Sequence, residues 1–371
     1  FLCIFVSYLF PLDFNFNLLK HTNSDQSIIT DPYIIAVMVE FESDSSPLTS
    51  GDGSFLDSID IDMIWDNSGE SRCNNFIVDR PPHNSEYFSN QIKAVSNYFK
   101  FASNGNLEIE SAVISNSNLE NESHKLSNNM EYYALSDNRL SELFKESLEL
   151  SKTDIEEHLN AANIDIDQVI FTVFHAGIGQ DFSFPTFDPT VYDIRSAYIE
   201  ESMFSDDIDF IEINGKEIKT GILLPETQNM IFFDGIEDIF YGYDSYCDFQ
   251  LGMTGTFAFL MGYALGLPPL FNTETGDPGV GHFGLMDYGS NNGRGVIPSI
   301  PTPWTRLLMN WDEMLDWTDW TDEPTTTAVI SHDAIFRFDI SDNQYFLIEN
   351  RSNQFDDGQT IDSIIFNYNY L

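Results

Sequence analysis

This 371-residue chain has 60 carboxylates but only seven histidines and three cysteines. Two of its seven histidines stand where catalytic groups are commonly carried, on loops next to regular elements. His282 lies in G-H-F-G-L-M-D-Y-G-S, with Glu274, Asp277 and Asp287 close by in the sequence. An imidazole among carboxylates is the raw material of a metal site or an acid–base pair. Nothing in the spacing of these four residues demands that they converge. His175 follows the apolar run D-Q-V-I-F-T-V-F and opens H-A-G-I-G-Q-D. No nucleophile pattern accompanies it, so it reads as structural or as a group on the substrate side of a site. Asp60, Asp62 and Asp66 suggest calcium, but their spacing is not that of an EF-hand, and an acidic loop is the other reading. Cys3, Cys73 and Cys247 form no C-x-x-C or C-x-x-H cluster. No G-x-S-x-G, Cys/His signature or phosphate loop is present, and no carboxylate pair stands out as in a glycosidase.

The elements that must position these residues are legible from periodicity. Thr254–Phe271, TGTFAFLMGYALGLPPLF, reads as a central buried helix. Its apolar residues occupy nearly every side, and Gly266 followed by Pro268 and Pro269 stops it. Tyr33–Phe41 and Asp167–Phe174 read as buried strands. Asn84–Ser103 is an amphipathic helix with Ser85 as its cap and Phe88, Ile92, Val95 and Phe99 on its apolar face. Leu107–Ile114 alternates like a strand, and Ser136–Ser151 is a second amphipathic helix. Asn116–Met130 reads as a surface loop. Ile208–Pro225 reads as a hairpin turning at Asn214-Gly215. Trp304–Trp311 reads as a short helix with Trp304, Leu307, Leu308 and Trp311 inward; Val329–Ile340 and Gln344–Asn350 read as strands of a small sheet.

The order of apolar helix, A-L-G-L-P, a loop rich in Asn, Gly and acids, G-H-F-G-L-M-D-Y-G-S and then P-x-P-W-T-R-x-x-x-N-W is informative as a whole. It resembles the active-site region of the immune-inhibitor-A-like zinc metallopeptidases, secreted metzincin-like enzymes. The resemblance extends more diffusely through H-N-S-x-Y-F-S-N, the D-I-x-S-A-Y segment (Asp193–Tyr198) and Q-Y-F-L-I-E-N-R. In that family the helix carries H-E-x-x-H, a third ligand follows the glycine, and a methionine turn follows that. Aligned by Gly266, the first His falls on Phe259, the Glu on Leu260, the second His on Tyr263 and the third ligand on Pro269. The turn methionine falls on Met286. Two His at i and i+4 share a helix face and bind one ion, and the Glu takes a proton from zinc-bound water. Phe259, Leu260 and Pro269 have no lone pair for zinc, and a phenol is a poor substitute for imidazole. The resemblance therefore implies the family's frame without its zinc, with Met286 kept and His282 and His175 as the spare imidazoles for a rebuilt site.

Composition bounds the rest. The chain carries 60 acidic and 16 basic residues, a formal net charge of −44, which makes nucleic acid and anionic membranes poor partners. With 32 Phe and 16 Tyr it is no disordered acidic tail. FLCIFVSYLFPL is too short to span a membrane and reads as the remnant of a secretory signal, or else as a buried strand. A secreted setting would suit a Cys73–Cys247 disulfide, although sequence does not bring the two together. Ile361–Tyr370 reads as a strand that the chain's end cuts short.

The expected architecture is α+β, a zincin-like domain with a twisted mixed sheet, a central helix and a smaller C-terminal lobe. Residues 1–22 would be signal and linker. Residues 31–371 would be the peptidase-like domain, 31–271 its N-terminal lobe and 272–371 its C-terminal lobe, truncated. The expected function is a secreted or cell-surface pseudopeptidase that binds a peptide or protein in the residual cleft or serves structurally, with no cofactor. Two alternatives stay open: an active zinc endopeptidase with relocated ligands, and an acidic structural module of a larger protein. Calcium is the other metal to consider.

Overall fold

The computed structural model describes residues 13–14, 31–58, 77–116, 122–183, 188–205, 208–232, 250–316, 335–341, 344–349 and 351. The strands are β1 (Asp13–Phe14), β2 (Tyr33–Glu40), β3 (Glu110–Ile114), β4 (His124–Lys125), β5 (Val169–Ile178), β6 (Phe182–Ser183) and β7 (Ala197–Ile199). They continue with β8 (Ile211–Ile213), β9 (Lys216–Ile218), β10 (Gly221–Thr227), β11 (Met314–Asp316), β12 (Ile335–Ser341) and β13 (Gln344–Ile348). The helices are α1 (Ser85–Ala102), α2 (Met130–Ala134), α3 (Asp137–Ala162), α4 (Thr254–Ala264) and α5 (Pro303–Leu308).

The main sheet has six strands in the order β3-β2-β5-β10-β7, with β4 beside the end of β2. All its pairings are parallel except that of β7 with β10. Residues Ile34–Val39 of β2 are all buried, as the unbroken apolar run requires of a strand covered on both faces. One cover is α1 with α4: Phe174 of β5 stacks on Phe88 at 4.4 Å and meets Phe257 edge-on at 5.7 Å. The alternation of a strand sends Gly221 to the opposite face, where a Cβ would meet Phe144 of α3 at 2.2 Å. Two smaller sheets are β8-β9, which adds Ile211, Ile213 and Ile218 to the core, and β11-β12-β13.

Several expectations are corrected. β5 runs on to Ile178, so His175 stands inside the sheet, paired with Val39 and Pro225, and not in a loop after it. The cap of α1 is Asn84, whose side chain accepts from Tyr87 N–H at 3.0 Å; Ser85 is already helical. α3 continues to Ala162 because Ile155 and Leu159 still find cover, and Asn163 at φ 53° ends it. The expected loop 116–130 contains β4. Only β8 and β9 form the hairpin, and the next run joins the main sheet as β10. On α5, Trp304 and Leu308 are 44% and 47% exposed, while Trp311 is buried. Arg306 sets that rotation: 1% exposed, it donates to Asp312 at 2.5 Å, Glu349 at 2.8 Å and the Pro301 carbonyl at 2.6 Å. No helix among the described residues is long and apolar enough to cross a membrane.

Candidate functional site

α4 is buried from Gly255 to Ala264. It closes with the pattern that a glycine at C′ permits: Leu267 N–H donates to the Gly262 carbonyl and Gly266 N–H to that of Tyr263, both at 2.9 Å. Gly266 takes φ 85°, which a side chain would resist. Met286 lies fully buried beneath the helix. Its sulfur would be 2.5 Å from a Cβ at Gly262, so a side chain there would push the thioether aside. Leu270 N–H donates to the Met286 carbonyl at 2.9 Å and fixes the chain after the helix to the turn.

On that frame the motif positions hold rings. Phe259 meets Tyr263 edge-on at 5.1 Å, Tyr263 stacks with Tyr198 of β7 at 6.0 Å, and Phe271 lies 6.2 Å from Phe259. Phe259, Leu260 and Tyr263 are all buried, and Pro269 is half-buried. Burial, with the charge of Glu200, pushes the Tyr263 phenol well above its ordinary range, so it keeps its proton. These residues do not fit a zinc ion: three have no donor atom and the fourth holds its hydrogen.

The spare imidazoles are not brought to this place. His282 is exposed, with Nδ1 3.0 Å from the Asn292 side-chain oxygen. Asp287 is buried and spent on its own loop, accepting N–H groups of Gly279, Val280 and Gly281 at 2.7–2.9 Å and of Tyr288 at 2.8 Å. Asp277 accepts from Thr275 Oγ1 at 2.6 Å, and the Glu274 N–H donates to Asn272. His175 is fully buried; Nδ1 donates to the Ala176 carbonyl at 2.8 Å, and burial pushes the ring down to about 4. Among the described residues no group of three or more His, Cys, Asp or Glu is placed to hold a metal. Cys3, Cys73 and Cys247, the Asp60–Asp66 group, the N-terminal apolar run and Ile361–Tyr370 lie outside the described residues.

The sequence reading missed a second assembly, at the carboxyl ends of β5 and β10. Glu226 is 1% exposed. One carboxylate oxygen accepts Gly177 N–H at 2.6 Å, and the other accepts Leu56 N–H at 2.9 Å and faces His83 Nδ1 at 2.6 Å. His83 Nε2 donates to the Asp79 carbonyl at 2.7 Å, and its ring stacks on Tyr87 at 4.2 Å. The Asp79 carboxylate takes Gln91 Nε2 at 2.8 Å and, at 3.2 Å each, Thr227 Oγ1 and Met253 N–H, next to the start of α4. Beside it, buried Asp181 accepts Ser196 N–H at 3.0 Å and Oγ at 2.7 Å, together with Gln228. The signal was present in the sequence: P-E-T-Q-N follows directly on the apolar G-I-L-L, and a polar run there must find partners inside.

A scan against protein-family models and a search of curated proteins find no match to this chain.

Proposed function

We propose that this chain is a metallopeptidase-like scaffold, of the kind its sequence resembles, in which packing has replaced zinc chemistry and a binding or structural role remains. The observation that carries the reading is the ring cluster on α4. Phe259 and Tyr263, at the i and i+4 positions where two ligands would share a face, pack against each other and against Tyr198 and Phe271. Two imidazoles and a carboxylate left there without an ion would be three buried polar groups in need of partners, whereas Phe259 and Leu260 have no polar side-chain atom to bury. The mixed sheet with its antiparallel edge strand beside the central helix, the turn at Gly266 and Met286 beneath Gly262 support the family's frame. A secreted or surface setting belongs to the same proposal.

The test is elemental analysis of purified protein after zinc loading and dialysis, beside hydrolysis of a mixed peptide library. The expected result is no retained zinc and no cleavage. One zinc per chain, lost in a His282→Ala variant, would replace this reading with an enzyme whose ligands have moved.

A further inference from the structure

The connection from β2 leads to β3 on one side, and the chain later returns at β5 on the other. The crevice between β2 and β5 is therefore a switch point in a largely parallel sheet. Ligands of such sheets bind outside the carboxyl ends of the strands at that place. A cavity of about 400 Å³ opens there, lined among others by Ser46, Ser50, Ser54, Gly177, Thr190 and Glu226. Among the described residues no lysine, arginine or histidine lines it.

Six of its lining residues turn their donors the same way, toward carboxylates. Ser46 gives its N–H to Asp44 at 3.1 Å and its hydroxyl to Glu131 at 3.3 Å. Ser50 gives its N–H to Asp193 at 2.6 Å. Ser54 gives its N–H to Asp52 at 3.1 Å, and its hydroxyl to the same carboxylate. Thr190 gives its N–H to Asp188 at 3.0 Å and its hydroxyl at 3.4 Å. Gly177 and Leu56 give theirs to Glu226. These N–H groups and hydroxyl hydrogens are committed to the protein, and the hydroxyls have lone pairs left to offer a guest. The Ser50 oxygen also accepts Ile178 N–H at 3.0 Å, which holds the 45–56 loop against the end of β5 before any guest arrives. The carboxylates behind the wall, on a chain of net charge −44, exclude an anion.

We propose that this cavity is a binding site for a cationic hydrogen-bond donor, a guanidinium or primary ammonium group. Such a group carries three to five N–H donors and no acceptor, the complement of a wall where Ser46, Ser50, Ser54, Thr190, Gly177 and Leu56 have turned donors to carboxylates. The volume lies at the small end of ligand sites, about 300–1,000 Å³, and suits one long side chain or a small amine. The assignment stands whether or not the α4 region ever held zinc.

The test is calorimetric titration at about 150 mM NaCl, where exposed charges are screened. The probes are acetyl-Gly-Arg-Gly-amide, the same tripeptide with uncharged citrulline for arginine, and spermidine. The expected result is one site that prefers a charged probe over the citrulline peptide by about tenfold or more. Ser46→Leu, which narrows the cavity, should weaken it by a similar factor. So should Ser45→Trp, which blocks the mouth from the exposed rim and leaves the buried bonds alone; circular dichroism checks that both variants fold. Binding of the arginine peptide alone assigns the guest to a polypeptide side chain, and binding of spermidine alone to a free amine. The proposal is overturned if neither charged probe binds, if citrulline binds equally well, or if both variants bind as the unaltered chain does.

Discussion

Two interior regions, both against β10, solve the problem of burial in opposite ways. Around α4, ten consecutive residues from Gly255 to Ala264 are buried, and most carry no polar atom beyond the backbone. At the carboxyl ends of β5 and β10, Glu226, Asp181, His83, Gln228 and Asn229 are as deeply buried, and each is held by hydrogen bonds. In the first region burial is stabilising because the groups are apolar; in the second it is tolerable only because the polar groups are paired. The difference teaches where this molecule can still do polar chemistry. A region with almost no side-chain lone pairs has little with which to ligate an ion. A region of buried carboxylates with loops arranged around them still holds polar groups.

The comparison breaks most visibly at Glu226. Glu226→Ala leaves His83 and the N–H groups of Leu56 and Gly177 without their acceptor in a buried site. Removing one partner of a buried pair typically costs about 3–5 kcal/mol, and urea unfolding of the variant should show a loss in that range. The double variant Glu226→Leu with His83→Leu should recover part of it, since the orphaned imidazole goes too. A loss below about 1 kcal/mol would mean that water already reaches the carboxylate.

The same question put to α4 is sharper when polar groups are put back. The combined substitution Phe259→His, Leu260→Glu, Tyr263→His and Pro269→Asp should lower stability by about 3 kcal/mol or more without metal, through lost ring packing and buried imidazole. Zinc should then raise the unfolding midpoint of the variant and leave that of the unaltered chain where it is. A variant indifferent to zinc would show that Gly266 and Met286 do not preserve a ligand frame.

What the sequence disclosed follows the same division. The α4 region was readable because an apolar helix with a glycine stop and proline behind it announces itself by periodicity. The ring cluster was half readable: Phe259 and Tyr263 share a face by spacing, but Tyr198, 65 positions away from Tyr263, comes from a three-residue strand that no periodicity marks. β2 and β5 were legible as apolar runs. The end of β5 was not, because His175 and Gly177 look like loop residues until β2 and β10 are seen to flank them. The Glu226 network was illegible for a related reason. Its members, at 56, 79, 83, 177 and 226, meet only through the crossover topology, and sequence spacing does not encode that.

Two buried titratable groups sharpen the contrast through pH. Burial pushes the Asp193 carboxyl up to about 7 and the His175 imidazole down to about 4. An acid with a raised value takes its proton earlier when folded, so Asp193 contributes a stability that falls as pH rises from about 4 to 7. A base with a lowered value does the reverse: His175 contributes a stability that falls as pH drops from about 6.5 to 4. The two slopes oppose each other over most of this range. Asp193→Asn should therefore make the protein more acid-sensitive than the unaltered chain, by about 3 kcal/mol between pH 6.5 and 4, and His175→Phe should make it less so by a similar amount. Thermal unfolding of each variant against the unaltered chain over that interval measures the difference. Parallel curves for all three proteins would show that neither group changes its protonation on folding.

The smallest effect is expected at the residue that looks most like a catalyst in the sequence. His282 is exposed, and its ring meets the Asn292 side chain at 3.0 Å and Tyr288 at a centroid distance of 6.0 Å. Its backbone carbonyl holds the loop by accepting from Asn292 Nδ2 at 3.0 Å and Ser299 Oγ at 2.7 Å, and substitution leaves those bonds in place. Asp287, the carboxylate that could have joined it, is committed to four backbone N–H groups. His282→Ala should change stability by less than about 0.5 kcal/mol, the usual range for surface positions, and should leave zinc retention unchanged. A larger loss, or zinc that disappears with the imidazole, would move the functional centre from the sheet to this loop and reverse the contrast between the two regions.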